Sequence, residues 1–216
     1  MTEEIGAQHE FHDQAYAAGW AGRFKPTPER LALFNLILSQ LQVHIPKDGC
    51  VVELGIGPGY LAHHLLSEMP QIQYFGVDYS GPMIEIARER LGLYSDRISF
   101  VQADLVLDRW GERIPAPVNA VVSTWALHDL GGQDKVEAVY QASAQLLEEG
   151  GILLNGDFIK PDNTVHAFEP GRFEIARHLE MLRRVGFNNA ACLQVLEEEI
   201  ESPTPAQNYA CFMAEK

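Results

Sequence analysis

Three glycines at alternate positions are the first residues whose spacing suggests a ligand site. Gly55, Gly57 and Gly59 follow an apolar run over residues 50–54 and precede a helical pattern over residues 61–66. Because glycine has no Cβ, such a turn lets the backbone bend sharply and approach a ligand closely, with helix N–H groups directed at it. Nucleotide phosphates, dinucleotides and S-adenosylmethionine all bind at turns of this kind.

The residues after the turn are inconsistent with two of these ligands. A phosphate-binding loop needs Lys and then Ser or Thr after its last glycine, whereas Tyr60 and Leu61 follow here. A dinucleotide site needs a third glycine where Tyr60 stands, because a side chain there holds the helix away from the strand. S-adenosylmethionine has no phosphate, and its polar tail and sulfonium can lie along the turn. The spacing Glu53-x-Gly55-x-Gly57-x-Gly59 is compatible with this ligand, with a turn that binds no ligand as the alternative.

Acidic residues end or follow the next two predicted strands. Asp78 ends the run 73–78, where a carboxylate can accept hydrogen bonds from both ribose hydroxyls of an adenosine, worth about 1.5–3 kcal/mol each. Asp104 follows the run 98–103 and can accept the adenine amino proton, while the Leu105 backbone meets a ring nitrogen. The alternatives are a solvated loop carboxylate for Asp78 and a helix N-cap for Asp104.

Two further side chains close to Asp78 are candidate adenine contacts. Tyr79 and Met83 can form walls around the base. Met83 also fits the apolar side of a helix predicted over residues 81–91, so a core position is its alternative.

The segment 123–130 follows the fourth predicted strand and brings a candidate general base. His128 can remove a proton from an acceptor, if the acceptor must lose one; the alternative is a polar residue that orients the loop or the cofactor's tail. Trp125 can stack near a sulfonium as a cation–π partner or belong to the core. Ser123 completes the candidate cofactor-binding residues.

The elements that must position these residues alternate between strand and helix. Apolar runs predict strands at 50–54, 73–78, 98–103, 119–124 and 152–158, and two more at 192–196 and 209–213. Alternation of this kind predicts an α/β fold with a doubly wound, mostly parallel sheet covered by helices on both faces. Ligands bind such sheets at the carboxyl ends of the strands, near the switch in strand order.

Residues 1–48 precede the first strand and are predicted to form a helical cap on one domain over residues 49–216. Thr27 and Pro28 are typical of a helix start. The buried face of this helix is predicted from the spacing of Leu31, Phe34, Leu38 and Leu41.

The composition excludes several partners. A formal net charge of -14, from 30 acidic and 16 basic residues, opposes binding to nucleic acid or to an anionic membrane. The chain has no secretory signal pattern at its start and no apolar run near the roughly 18 residues that a membrane span needs. Three widely spaced cysteines, Cys50, Cys192 and Cys211, indicate reduced thiols and no metal site. We therefore expect a cytoplasmic protein.

Several of these segments resemble the motifs of the Rossmann-like, S-adenosylmethionine-dependent methyltransferases. The spacing that runs from Glu53 to Gly59 is similar to the first motif, and Asp78 followed by Ser80 and Met83 is similar to the second. Further matches in the family's order are Gln102-Ala103-Asp104, the segment 146–153 with Glu149 where Pro is usual, and Met181-Leu182-Arg183-Arg184-Val185-Gly186-Phe187. Together they cover residues 50–214.

The resemblance implies a seven-stranded sheet of order 3-2-1-4-5-7-6 whose last-numbered strand is antiparallel. It also implies an enzyme that takes S-adenosylmethionine as its methyl donor. A catalytically silent S-adenosylmethionine-binding module, an NAD-type oxidoreductase and a macromolecule methyltransferase remain as alternatives.

The segment 123–130 also limits the class of molecule expected to accept the methyl group. It resembles the Ala-Leu-His-His-Leu sequence of small-molecule and cofactor-biosynthesis methyltransferases, with Asp129 in place of the second His. The Asn/Asp-Pro-Pro-Tyr segment of enzymes that methylate nucleobases or glutamine is absent. Only about a dozen residues, 159–170, separate the fifth strand from the last helix, so the acceptor pocket must come largely from the N-terminal cap. Its candidates are His9, Phe11, His12, Tyr16, Trp20, Arg23 and Lys25, and a small-molecule acceptor is predicted.

Overall fold

Seven strands and six α-helices make up the part of the chain that the computed structural model describes, residues 9–24, 26–115, 117–204 and 206–216. The strands are β1 (Cys50–Leu54), β2 (Gln73–Asp78), β3 (Ile98–Gln102), β4 (Val118–Thr124), β5 (Leu147–Phe158), β6 (Asn188–Glu197) and β7 (Tyr209–Glu215). The helices are α1 (Gln14–Arg23), α2 (Pro28–His44), α3 (Tyr60–Glu68), α4 (Gly81–Arg90), α5 (Gln133–Leu146) and α6 (Ile175–Arg184). Lys25 lies outside the described residues.

The sheet has the strand order β3-β2-β1-β4-β5-β7-β6, which confirms the predicted topology. β1 pairs in parallel with β2 and with β4, and the β2–β3 and β4–β5 pairs are also parallel. β7 lies antiparallel between β5 and β6. The chain therefore leaves β1 in one direction and β4 in the other, and the carboxyl ends of these neighbouring strands diverge at the switch point.

Two apolar cores hold the layers together, one on each face of the sheet. On one face, Leu61 and Leu65 of α3 pack with α2 and with inward residues such as Val51 and Tyr74. On the other face, α5 and α6 pack on residues that include Val52 and Val121. Successive residues of β1 thus point into opposite cores, as the two-residue period of a strand requires. Among the described helices, none is long and apolar enough to cross a membrane.

Helix α2 begins where the sequence predicts, and two of its four predicted core residues, Phe34 and Leu41, are buried. The Thr27 hydroxyl accepts a hydrogen bond from the Arg30 N–H at 3.4 Å, and Pro28 occupies the first turn. The predicted face is wrong at Leu31, which is 39% exposed, and at Leu38, which is only half-buried. The buried residues are Leu33, Phe34, Ile37 and Leu41. Because α2 is apolar over most of its circumference, its spacing alone does not say which side meets the sheet.

Strand β5 is longer than the predicted run 152–158. It begins at Leu147, directly after α5 ends, and its pairing with β4 shifts between Val118 and Ala120. Gly150 has a φ of +79° within this irregular segment. Gly150 and Gly151 therefore lie inside an irregular strand, rather than in a loop before it.

The N-terminal cap packs on the sheet domain through two helices. Helix α1 lies on α4, and α2 lies on α3 and β5. A short 3-10 helix, Glu10–His12, precedes α1 and also contacts α4. The cap thus reaches from α4 to α3 and β5.

The contact between α2 and β5 generates a stability prediction. An Ala side chain at Gly156 would place its Cβ 2.5 Å from Leu33 Cδ2 and 2.6 Å from Leu33 Cδ1, and Leu33 is fully buried. We expect Gly156→Ala to lower the free energy of unfolding by about 1–3 kcal/mol, because overpacking strains a close-packed core. Urea unfolding followed by circular dichroism measures this change.

A double-mutant cycle with Leu33→Ala is the control. Once Leu33 is truncated, the added methyl at residue 156 has room, so Gly156→Ala should cost far less in that background. An equal cost in both backgrounds would show that the strain arises elsewhere.

Candidate functional site

A cavity lies at the carboxyl ends of β1, β2, β3 and β4, beneath the N-terminal cap. Nine residues predicted to bind the cofactor line it: Glu53, Gly55, Gly57, Asp78, Tyr79, Met83, Asp104, Leu105 and Trp125. Three predicted site residues do not line it: Gly59, Ser123 and His128. The sheet therefore brings together side chains from four separate strand ends, as the alternation of elements predicts.

The glycine turn after β1 has the backbone geometry that its sequence predicts. Gly55 and Gly57 have φ values of +70° and +50°, a region that side chains disfavour. A Cβ on Gly55 would lie 2.4 Å from the Ala126 Cβ, so a glycine is needed for the segment after β4 to approach the turn. A Cβ on Gly57 would meet no atom within 4 Å, since this residue faces open space. The turn thus presents backbone atoms, without side chains, to a ligand.

Gly59 and Ser123 support the site from behind. Gly59 starts α3 with a φ of +78°, and a Cβ there would lie 2.9 Å from Leu91 Cδ1. The buried Ser123 hydroxyl donates a 2.9 Å hydrogen bond to the Leu54 carbonyl, which ties β4 to β1. The sequence placed both residues at the right strand ends, but their contacts are with the protein.

Asp78 is held at the cavity edge by the backbone. Its Oδ2 accepts a hydrogen bond from the Gly57 N–H at 2.8 Å, and its Oδ1 accepts one from the Ser80 N–H at 2.9 Å. Burial raises the pKa of Asp78, although the N–H groups of Ser80 and Gly57 act in the opposite direction. Each carboxylate oxygen can accept a second hydrogen bond, so the group remains able to bind a diol.

Glu53 lies deeper, at the end of β1, and is 1% exposed. The Tyr74 hydroxyl donates a 2.7 Å hydrogen bond to Glu53 Oε2. Burial raises the pKa of Glu53 to about 8, with the Tyr74 bond opposing the shift and Asp78 adding to it. This side chain is therefore mainly a neutral acid at pH 7, able to donate a proton in a hydrogen bond as well as accept one.

The segment after β3 forms a turn that Asp104 organises. Asp104 Oδ1 accepts hydrogen bonds from the Val106 and Leu107 N–H groups at 2.8 and 2.9 Å. No regular α-helix follows, so Asp104 caps a turn and not the helix that was its alternative reading. Asp104 and Leu105 both line the cavity, as does Met83, whose side chain is buried on α4.

The N-terminal cap closes over this half of the cavity. The Ser80 hydroxyl donates a hydrogen bond to the Phe11 carbonyl, and the His12 and Tyr79 rings lie 4.7 Å apart. On the other side, the Tyr60 hydroxyl donates to the Ala21 carbonyl at 3.4 Å. Of the cap residues predicted to line an acceptor pocket, Phe11 and Trp20 do so.

His128 lies between two carboxylates behind the cavity wall. Its Nδ1 is 2.7 Å from Asp157 Oδ1, and its Nε2 is 3.2 Å from Asp129 Oδ1. Its backbone N–H also donates to Asp157 Oδ2 at 3.0 Å. Asp129, unlike His128, lines the cavity. The imidazole is thus oriented by Asp157 and connected to the cavity through Asp129.

The charges of this cluster shift all three pKa values. Burial alone lowers the pKa of His128, but Asp157 and Asp129 raise it more, so the net value lies above the ordinary one. Burial alone would raise the pKa of Asp157, and His128 brings it below its usual value. Burial raises the pKa of Asp129, with His128 opposing the shift. Both carboxylates thus favour the protonated form of the imidazole.

Trp125 has a backbone conformation that is rare for its residue type. Its φ is +48°, and its N–H donates to the Gly156 carbonyl of β5 at 2.9 Å. Bulky residues in this region are outliers, and strain of this kind concentrates at functional sites. The turn directs the segment after β4 toward Gly55, and the indole becomes part of the cavity wall.

Asp157 is the site residue that sequence reasoning missed, and Asp129 was noted only as a departure from a motif. Asp157 is 2% exposed at the carboxyl end of β5, where Gly156 pairs with Thr124 of β4. Its position as an acid at the end of a buried apolar strand was a usable signal. Nothing in the sequence shows that it reaches His128, because that contact depends on strand register.

The residues present fit S-adenosylmethionine. Gly57 offers a bare backbone surface facing open space, and the fixed Asp78 carboxylate lies beside it with hydrogen-bonding capacity to spare. Within the described residues, no group of three or more His, Cys, Asp or Glu side chains is arranged to hold a metal ion.

Comparisons with known proteins agree with this geometry. A family model described as a methyltransferase domain matches residues 51–151. An uncharacterized methyltransferase of Geobacillus sp. (strain WCH70) is 34% identical over 146 residues, which cover 67% of this chain and 60% of the relative. The chain spans 46% to 60% of the length of the first curated relatives that it matches.

Two solved structures share the fold. A putative O-methyltransferase from Nostoc punctiforme superposes with a TM-score of 0.75 at 16% identity, covering 100% of this chain and 64% of that one. Human N-acetylserotonin methyltransferase in complex with SAM gives a TM-score of 0.66 at 13% identity, with 98% and 60% covered. The matched domain includes both the glycine turn and Asp78, and the sheet has the order expected of the family. The predicted family is confirmed: the chain belongs to the class I S-adenosylmethionine-dependent methyltransferases.

Proposed function

We propose that this protein transfers a methyl group from S-adenosylmethionine to a small-molecule acceptor. The observation that carries the proposal is the Asp78 carboxylate, which two backbone N–H groups hold beside the open Gly57 turn. A carboxylate fixed in this way is suited to the two hydroxyls of a ribose, because it need not be ordered when the ligand binds.

The donor half of the site consists of residues from three strand ends. Asp78 would hold the ribose, and Tyr79, Met83 and Leu105 would enclose the adenine, with Asp104 at its amino group. The turn over Gly55 and Gly57 would hold the amino-acid tail. S-adenosylmethionine supplies an activated methyl group on a sulfonium, so the protein's main task is to place an acceptor in line with that bond.

Positioning is the main catalytic contribution expected of the chain. Well-oriented reactants gain on the order of 7–11 kcal/mol over free ones in favourable cases. The cap supports this role, since Phe11, Trp20 and Phe24 line the cavity together with Trp125.

An acceptor that must lose a proton can pass it to Asp129. In this proposal the acceptor's O–H or N–H faces Asp129, and the proton is shared between Asp129 and His128. Asp157 is a positioning residue, because it contacts His128 and lies away from the cavity. The Asp129–His128 pair can accept this proton only after the pair has released a proton of its own.

A small acceptor is supported by the short segment between β5 and α6 and by the fold neighbours. Between β5 and α6 the chain has only residues 159–174, which form no further helix or strand where they are described. Human N-acetylserotonin methyltransferase, a fold neighbour, is named for a small molecule. The acidic chain, with its net charge of -14, disfavours RNA.

We expect Asp78→Ala to weaken the binding of S-adenosylhomocysteine by at least tenfold. The change removes hydrogen bonds to a charged acceptor, each worth about 1.5–3 kcal/mol, and tenfold corresponds to about 1.4 kcal/mol. Isothermal titration calorimetry measures it. Asp96→Asn, which removes an exposed carboxylate from the loop before β3, is the matched control and should leave the affinity unchanged.

The same titrations distinguish the alternative classes. The parent protein should bind S-adenosylmethionine and S-adenosylhomocysteine but show no heat with NAD. Binding of NAD alone would refute the proposal. Tight binding of both sulfur compounds with no methyl transfer to any acceptor would indicate a silent binding module.

We expect Asp157→Asn to lower the pKa of His128, because the variant removes the carboxylate that stabilises the protonated imidazole. In the parent protein His128 should titrate above the ordinary value of about 6.5. Turnover of a proton-losing acceptor should accordingly rise as the pH passes through that pKa, and this limb should move to lower pH in the variant. Histidine NMR measures the titration without any acceptor.

Asp162→Asn is the control for this experiment, since it removes an exposed carboxylate from the loop after β5. This variant should leave the pKa of His128 unchanged. A His128 pKa that is the same in Asp157→Asn as in the parent would contradict the pairing and the positioning role of Asp157.

A further inference from the structure

We infer that the acceptor is an aromatic molecule that is neutral or positively charged, and that anionic acceptors are rejected. The inference rests on the proposed function and adds the substrate class. Four observations support it: the charge of the cavity lining, the location of two nearby arginines, the aromatic character of the acceptor side, and the position of Asp129.

The first observation is the charge of the cavity lining. Among the described residues that line it, the acidic and basic side chains are all carboxyl groups: Glu53, Asp78, Asp104 and Asp129. No described Lys, Arg or His lines the cavity. A carboxylate or phosphate on the acceptor would lose its hydration without meeting a cationic side chain, and such desolvation is costly. The cofactor does not conflict with this rule, because its sulfonium and ammonium groups outweigh its single carboxylate.

The second observation is that two arginines close to the cavity lie behind aromatic rings that line it. The guanidinium carbon of Arg30 is 3.6 Å from the Phe24 ring centroid, and that of Arg90 is 3.8 Å from the Tyr60 ring centroid. Arg90 also donates to the Pro58 carbonyl at 2.6 Å. Phe24 and Tyr60 line the cavity, whereas the two arginines do not. These cations therefore support the walls without being part of them.

The third observation is the aromatic character of the acceptor side. Trp20 and Phe24 stack with centroids 4.5 Å apart, and Phe24 and Phe34 lie 6.3 and 6.1 Å from Trp125. All four residues line the cavity. Together these rings form an aromatic wall that packs against flat apolar groups, and ring faces left uncovered also attract cations.

Asp129 sets the charge preference at the methyl-receiving end. Its side chain lines the cavity and is 43% exposed, and one carboxylate oxygen is 3.2 Å from His128 Nε2. A donor group on the acceptor, such as a hydroxyl or an ammonium, can hydrogen-bond to this carboxylate. An anionic group there would be repelled.

The test uses three para-substituted phenols that share one ring and one hydroxyl group. Their second substituent is aminoethyl, hydroxyethyl or carboxymethyl, which gives a cation, a neutral molecule and an anion. Each is titrated into protein saturated with S-adenosylhomocysteine, and tryptophan fluorescence is followed, since two of the three tryptophans line the cavity. We expect the cation and the neutral phenol to bind at least tenfold more tightly than the anion.

Two variants identify the residues responsible. Asp129→Asn should reduce the preference for the cation over the anion by about tenfold. Asp134→Asn removes an exposed carboxylate nearby, in the first turn of α5, and should retain the preference. The matched cyclohexanols, which have the same substituents but no aromatic ring, should bind more weakly than the phenols.

The outcomes separate this inference from the proposed function. If the protein fails to bind S-adenosylhomocysteine, the proposed function fails. If it binds S-adenosylhomocysteine but binds the anionic phenol as tightly as the others, or binds none of the three, the proposed function stands and the acceptor class is refuted. Equal effects of Asp129→Asn and Asp134→Asn would refute the role of Asp129.

Discussion

The hydrogen bond from the Gly57 N–H to the Asp78 carboxylate joins the ends of two neighbouring strands, and the rest of the site depends on it. It orients the acid, and it fixes the glycine turn against β2. Both effects need a residue with positive φ at the turn and an acid at the end of the next strand. Because β1 and β2 pair in parallel register, the two groups lie at one edge of the sheet.

A second constraint is the close approach of the segment after β4 to the same turn. It requires Gly55 to lack a side chain and Trp125 to adopt an unfavourable φ. This approach brings the Trp125 indole and Asp129, with the His128 imidazole behind it, to the glycine turn after β1. The cost of the Trp125 conformation is offset by its N–H bond to Gly156 and by ring contacts with Phe24, Phe34 and Tyr209.

The cofactor side of the site was largely predictable, whereas the acceptor side was not. Asp78 and Asp104 follow apolar strands, so their meeting at one edge follows from the parallel sheet. The partner of His128 did not follow from such a pattern: Asp157 is 29 residues away on β5, and the contact depends on the register between β4 and β5. The buried face of α2 was also misjudged at Leu31, because a helix apolar on several sides can dock in more than one orientation.

The sequence by itself predicted the class of fold and the alternation of its elements, because these depend on local periodicity. Its resemblance to the family's motifs implied the strand order and the methyl donor. Tertiary structure alone decided which side chains face the cavity. It placed Asp129 in the wall and His128 behind it, turned Ser123 to the Leu54 carbonyl, and put Arg30 behind Phe24. These choices depend on loop conformation and on packing between segments distant in the chain, for which neighbouring residues carry no information.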